Sequence, residues 1–362
     1  MTVTAPQSAL VKAQNKHWYF LDIMKGFLLV LVFVGHLIPG EVTEQPVRYL
    51  IYSFHMPLFI GISGFLFNIE RQQLTVKSFV QKYAKRLILP WFIAVTFYYL
   101  YNNLVINHKA LSVKRFLHNI YSPYYHLWYV LGAVGYIVAS LVLWQVIKKL
   151  RCKWCILFAI GIFFAIVSRY QIMLNFVTEH NIISGKLLSA YKMLRIDFKP
   201  FNYLMFVCGM YLRNLFEHGK LQKVTRFTPL FAVLSAVLFA ADIMLLFRKS
   251  EFWSDAIYLT MSIPFLAVTV AIAVSGSKLR IKPLEFIGQY SLPIYLYHVV
   301  GIRFAYKIFE RGSLNYYIVA CASFVVLCIA VYLLKNVPFV NKVIFGSTNS
   351  FLQKKNKEKS AD

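Results

Sequence analysis

Charge is scarce in this sequence: 15% of its 362 residues are Asp, Glu, Lys or Arg, against about 25% in an average soluble chain. Apolar residues make up 59% and aromatic residues 17%, more than a core of this size can hide from water. No polar stretch is long enough to read as a separate soluble domain, and no repeat of fixed period stands out. Cysteine is also sparse. The five thiols, Cys152, Cys155, Cys208, Cys321 and Cys328, include one C-x-x-C without a second ligand pair, so neither a disulfide framework nor a metal site is expected. A cleavable signal peptide is not expected either: residues 1–17 are polar, and no small-residue cleavage site follows the first apolar run.

What the chain has in place of these is a series of long apolar runs, each close to the roughly 20 residues needed to cross a bilayer core of about 30 Å. They fall at 18–39, 49–68, 87–106, 126–147, 154–169, 196–212, 227–247, 255–275, 284–302 and 315–334. The reading is an all-α polytopic membrane protein of about ten transmembrane helices. The net charge of +25 is spread in short clusters between the runs, which excludes a single nucleic-acid-binding face. With the N-terminus inside, the cytoplasmic segments carry 24 of the 39 Lys and Arg residues, so the positive-inside rule gives N-in/C-in. Residues 1–17 form a cytoplasmic segment, 18–334 the transmembrane domain and 335–362 a basic tail near anionic headgroups. The connection from 170 to 199 is expected to carry a short interfacial helix.

Ionisable groups inside such runs are costly unless paired or facing a cavity, so each is a candidate for function. Lys25 and His36 lie 11 residues apart on the first run. At 100° per residue they share one helix face within about 20°, about 16 Å apart along the axis, and Asp22 lies one turn before Lys25. The bland alternative is that Lys25 snorkels to headgroups. The second run carries His55 and Pro57, then Gly61, Ser63 and Gly64; the glycines suit close helix packing. His126 opens the fourth run among Tyr124, Tyr125 and Trp128, where an interfacial belt also explains the rings. In the ninth, Ser291, Tyr295 and His298 recur at spacings of four and three, forming a polar strip. The four histidines fall toward the external half of the bundle. Lys25, Lys82, Lys85 and Arg86 fall toward its cytoplasmic edge, as a long phosphate-headed donor would require.

These stretches resemble acyltransferase family 3, integral-membrane O-acyltransferases of bacterial surface glycans. The matching segments are 21–36, FHMPLFIGISGFLF at 54–67, KRLILP at 85–90, HLWYV at 126–130 and GQYSLPIYLYH at 288–298. They occur in family order from the first run to the ninth, and are most similar to the fucose-4-O-acetylase-like branch. Lys25 departs from the family, where Arg is usual; it keeps the charge but not the bidentate fork. The appended extracytoplasmic domain of some members is not expected here.

The resemblance implies a donor, acetyl-CoA or another acyl-CoA, with no tightly bound cofactor and no metal. On this reading Lys82, Lys85 and Arg86 hold its phosphates, Lys25 lies near the same entrance, and His36 is the catalytic base or acyl relay. His55 and His298, with Tyr295 and Ser63, support the oxyanion or orient His36. The expected partners are membrane lipid and a cell-surface or lipid-linked glycan acceptor, in a multi-pass cell-membrane protein. The competing class is a transporter or flippase for lipid-linked sugars, or a subunit of an export assembly.

Overall fold

A computed structural model describes residues 18–72, 75–124, 126–169, 185, 187–188, 199–248 and 251–346. The expected N-terminal segment, most of the 170–199 connection and most of the basic tail lie outside the described residues. The described residues are 81% helix, with no strand among them. Among the described residues, five helices are long and apolar enough to cross a membrane: Tyr19–Leu37, Pro46–Leu66, Gln81–Ile106, Trp128–Ile147 and Leu314–Leu334. With no water in a bilayer core, a helix is the form in which such a segment satisfies its own backbone.

The helices in chain order are α1 (Tyr19–Leu37), α2 (Pro46–Leu66), α3 (Leu89–Leu100), α4 (Val113–Tyr121), α5 (Trp128–Ile147), α6 (Lys153–Arg169) and α7 (Tyr203–Glu217). There follow α8 (Thr228–Arg248), α9 (Glu251–Val274), α10 (Lys282–Gln289), α11 (Ser291–Tyr297), α12 (Val299–Ile308) and α13 (Leu314–Leu334). Wide π-helical segments, Val80–Ile88 and Tyr101–Ile106, continue α3 at both ends.

The described residues fall into two compact units. The first holds 18–72, 140–169 and 199–289; the second holds 75–139 and 290–346. In the first unit α10 packs on α1, and α7 packs on α2. Both crossings depend on glycine. A Cβ on Gly26 would run into the Leu284 carbonyl, and one on Gly288 into the Asp22 carbonyl. Likewise Gly64 meets the Phe206 backbone, and Gly209 meets that of Gly61. The small-residue cluster of α2 is thus a packing face, where backbones touch for lack of side chains.

Arg213 is held at one end of this unit by an ion pair to Glu217 at 2.6 Å. Its guanidinium lies 4.8 Å from the Trp18 ring centre and close to Phe65 and Phe216. In the second unit α12 packs on α13, and α11 meets α3.

One expected element is corrected. The run 284–302 is not a single helix: it breaks at Tyr290, between α10 and α11, whereas the backbone stays helical through His298, where α11 passes into α12. Pro293 accounts for this break. It lies in the first turn of α11, where its missing N–H costs nothing, whereas inside a continuous helix it would remove a bond. The short amphipathic α4 was not anticipated.

Candidate active site

The first unit gathers a polar group around His36, near the end of α1. Gly35 precedes it, and a Cβ there would come within 2.6 Å of the Tyr52 ring. Glycine therefore lets Tyr52 of α2 lie against α1, and its hydroxyl reaches His36 Nδ1 at 3.1 Å. The two rings are nearly perpendicular, 6.1 Å apart. Tyr52 also meets His55 edge-on at 5.0 Å, and the Arg48 guanidinium sits 5.3 Å from its ring centre. Tyr52 is thus the common neighbour of His36, His55 and Arg48.

Hydrogen bonding fixes the chemistry these rings offer. His55 Nδ1 lies 2.5 Å from the Ile51 carbonyl, which accepts only, so Nδ1 carries the proton. The neutral ring then presents a lone pair at Nε2. It can take a proton but cannot donate to an oxyanion unless it becomes imidazolium. For His36, the tautomer with Nδ1–H donating to the Tyr52 oxygen leaves Nε2 basic; this is the form that removes a proton from an alcohol. Ser63 is turned to its own helix, its hydroxyl donating to the Phe59 carbonyl at 2.9 Å.

Lys25 does not reach for headgroups. Its ammonium pairs with Asp22 at 2.9 Å, the two side chains being 15% and 7% exposed. A fully buried carboxylate missed by the sequence reading, Asp242 of α8, accepts a hydrogen bond from Tyr49 at 2.9 Å. An acid inside an apolar run was signal enough to find it.

The second unit builds another cluster. His126 is buried beside the Tyr98 ring at 4.8 Å and the His298 ring at 5.5 Å, the latter edge to face. The Tyr295 hydroxyl donates to the His126 carbonyl, and His298 Nδ1 donates to the Tyr295 carbonyl at 2.6 Å. His126, Tyr295 and His298 therefore form one constellation, which α11 sets up by placing Tyr295 and His298 one turn apart.

The family model for an acyltransferase domain matches residues 18–333, most of the chain. The chain belongs to acyltransferase family 3.

A curated relative, Nodulation protein NolL of Mesorhizobium japonicum, is 38% identical over 79 residues, 19% of this chain. The match spans only 20% of that protein's length. No solved structure matches the chain.

The acyltransferase domain so matched runs from the start of α1 to the end of α13, and both clusters lie inside it. So do Lys82, Lys85 and Arg86, exposed along the π-helical segment before α3, with the Lys82 ammonium 5.2 Å from the Tyr83 ring centre. Gly288, first residue of the GQYSLPIYLYH stretch, belongs to the first unit, and Tyr295 and His298 belong to the second. The stretch thus carries a packing role at one end and a polar one at the other.

Sequence reasoning missed Tyr52, Arg48, Asn102 and Arg303. Arg303 donates to Asn102 Oδ1 and lies 5.3 Å from the Tyr124 ring centre. Near the ends of apolar runs such residues look like interfacial anchors. Their partners are remote in sequence, and only the fold brings them together.

Proposed function

We propose that this chain is a membrane O-acyltransferase with ten transmembrane segments, both termini in the cytoplasm, in the cell membrane. It moves an acyl group, acetyl in the simplest case, from cytoplasmic acyl-CoA to a sugar hydroxyl of an extracytoplasmic or lipid-linked glycan. Family membership supports the reaction class. The observation that carries the site assignment is the Tyr52–His36 hydrogen bond at the Gly35 crossing.

In this reading His36 Nε2 takes the proton of the acceptor hydroxyl as its oxygen attacks the thioester carbonyl. The carbon–sulfur bond then breaks, and the proton passes to the departing thiolate. Tyr52 holds the imidazole in the basic tautomer. His55, neutral with Nδ1 protonated, serves as a proton acceptor or, once charged, as an oxyanion partner, and Ser63 has a helix-internal role; within the second unit Tyr295 positions His298. Lys82, Lys85 and Arg86 bind the donor phosphates, which their exposure and charge permit. Lys25 acts through its pair with Asp22.

The test is acetyl-CoA titrated into detergent-purified full-length protein, with an Arg86→Ala variant. Saturable binding weakened in the variant supports the reading; a folded protein that binds no acetyl-CoA refutes it. One observation favours a second reading, transport of a lipid-linked sugar: the run 284–302, interrupted at Tyr290, has the form of a transporter's broken helix. Transfer of radiolabelled acetyl to glycan by purified protein rejects that reading.

A further inference from the structure

A thioester carbonyl under attack becomes an alkoxide, and catalysis needs a donor aimed at that charge. The neutral side chains around His36 have their protons committed elsewhere. The Tyr52 hydroxyl and His36 Nδ1 are engaged with each other, and His55 Nδ1 donates to the Ile51 carbonyl. The Tyr49 hydroxyl donates to Asp242, that of Ser53 to the Leu50 carbonyl and that of Ser63 to the Phe59 carbonyl. His55 can serve an oxyanion only after it gains a second proton.

Arg48 is different. It stands half-buried in the first turn of α2, with its guanidinium 5.3 Å from the centre of the Tyr52 ring. One Nη donates to the Gly40 carbonyl, in the turn that follows α1. Gly40 has a φ of 90°, a left-handed conformation that other residues resist, and this turn carries its carbonyl to Arg48. Arg48 Nε is shielded from solvent and has no hydrogen-bond partner. The guanidinium has no ion-pair partner among the described residues either, although Glu41 and Glu44 stand in the same loop. A cation in a first helical turn is opposed by the helix dipole, and a shielded donor without an acceptor is costly. The arrangement therefore calls for an anion that the protein itself does not supply. Tyr52 joins the two parts, because its hydroxyl meets His36 while its ring carries Arg48.

We propose that Arg48 is the oxyanion donor of acyl transfer, its Nε–H receiving the charge that forms on the thioester carbonyl oxygen. His36 Nε2 takes the hydroxyl proton of the acceptor as the new carbon–oxygen bond forms, and the carbonyl π pair moves onto oxygen beside Arg48. When the alkoxide collapses, the carbon–oxygen double bond returns, the carbon–sulfur bond breaks, and the proton on His36 passes to the thiolate. The guanidinium stays charged throughout and neither gains nor loses a proton. This rests on the acyl-transfer reading with His36 as the base.

The test uses full-length protein and radiolabelled acetyl-CoA. Two rates are read: label transferred to glycan in membranes that hold the protein, and thiol released by detergent-purified protein, where water is the acceptor. Arg48→Ala is expected to lose about 10²–10³-fold in kcat, as removal of one oxyanion donor does, with KM for acetyl-CoA and the unfolding midpoint unchanged. Arg48→Lys keeps the charge but has no Nε–H, and is expected to stay at least about tenfold below wild type. Ethylguanidinium added to Arg48→Ala should restore rate, whereas ethylammonium, of the same charge, should not. A residue that merely anchors the helix end at the membrane surface behaves otherwise. Arg48→Lys is then as active as wild type, and Arg48→Ala loses activity only with a lowered unfolding midpoint and no rescue; either result overturns the proposal. Wild-type protein that neither transfers nor hydrolyses acetyl-CoA removes the acyl-transfer reading itself, whereas wild-type activity retained in Arg48→Lys removes Arg48 alone.

Discussion

Replacing Gly288 with alanine adds one methyl group at the point where α10 crosses α1. The new Cβ would meet the Asp22 carbonyl oxygen head-on, with the carbonyl carbon at 2.6 Å and Cα at 3.0 Å. Ordinary Cβ contacts begin near 3.4 Å, and all three obstructing atoms are backbone, which cannot rotate away. The helices must part by about 1 Å, and overpacking of this kind costs about 1–3 kcal/mol. The upper half of that range applies, because Gly26 makes the reciprocal contact with Leu284 and parting the helices loosens both.

A loss near 2 kcal/mol lowers the midpoint of thermal unfolding by about 2–4 °C in a chain of this length. The assay is thermal unfolding of detergent-purified protein, followed by tryptophan fluorescence. Gly26→Ala should cost a similar amount, and the double variant much less than the sum, because one separation relieves both clashes. An unchanged midpoint for Gly288→Ala, or strict additivity in the double variant, would refute the packing argument.

Three further outcomes follow from the geometry. Tyr52→Phe should lower kcat about tenfold with KM for acetyl-CoA unchanged, and shift the pH profile, while His36→Ala should lose about 10²–10⁴-fold in transfer with the fold retained; full activity in either removes it from the mechanism. Lys25→Ala strands the buried Asp22 carboxylate and should cost about 3 kcal/mol, whereas Lys25→Met combined with Asp22→Leu should restore most of the stability, as read by the same unfolding assay. Arg86→Ala, at an exposed position, should leave the unfolding midpoint in place and raise KM for the donor severalfold; an unchanged KM assigns Arg86 to topology alone.

The helices α1, α2, α5 and α13 were legible in the sequence because each is an uninterrupted apolar run of membrane length. The division of 284–302 was not read, since the polar dip over 288–291 is far shorter than a membrane-length window. The available signal was Pro293, which belongs in the first turn of a helix and not in its middle. The pairing of Lys25 with Asp22 could be anticipated from their spacing on one helix, whereas its burial required α10. His36 stood out as a polar group after an apolar run, yet the residue that orients it comes from α2. Arg303 and Asn102 are 201 positions apart, and periodicity along one helix carries no information about such a pair.

The length of α13 ties its packing on α12 to its surroundings. Its 21 residues rise about 31 Å, close to the thickness of a bilayer core, and little of it is anchored by protein. In a thinner membrane this helix must tilt to keep its ends wet, and in a thicker one it stands upright. Either adjustment shifts α13 against α12, and the contact that feels it is the one where Gly301 meets Ser323. Hydrophobic mismatch with the host phospholipids is thus transmitted to the packing of these two helices.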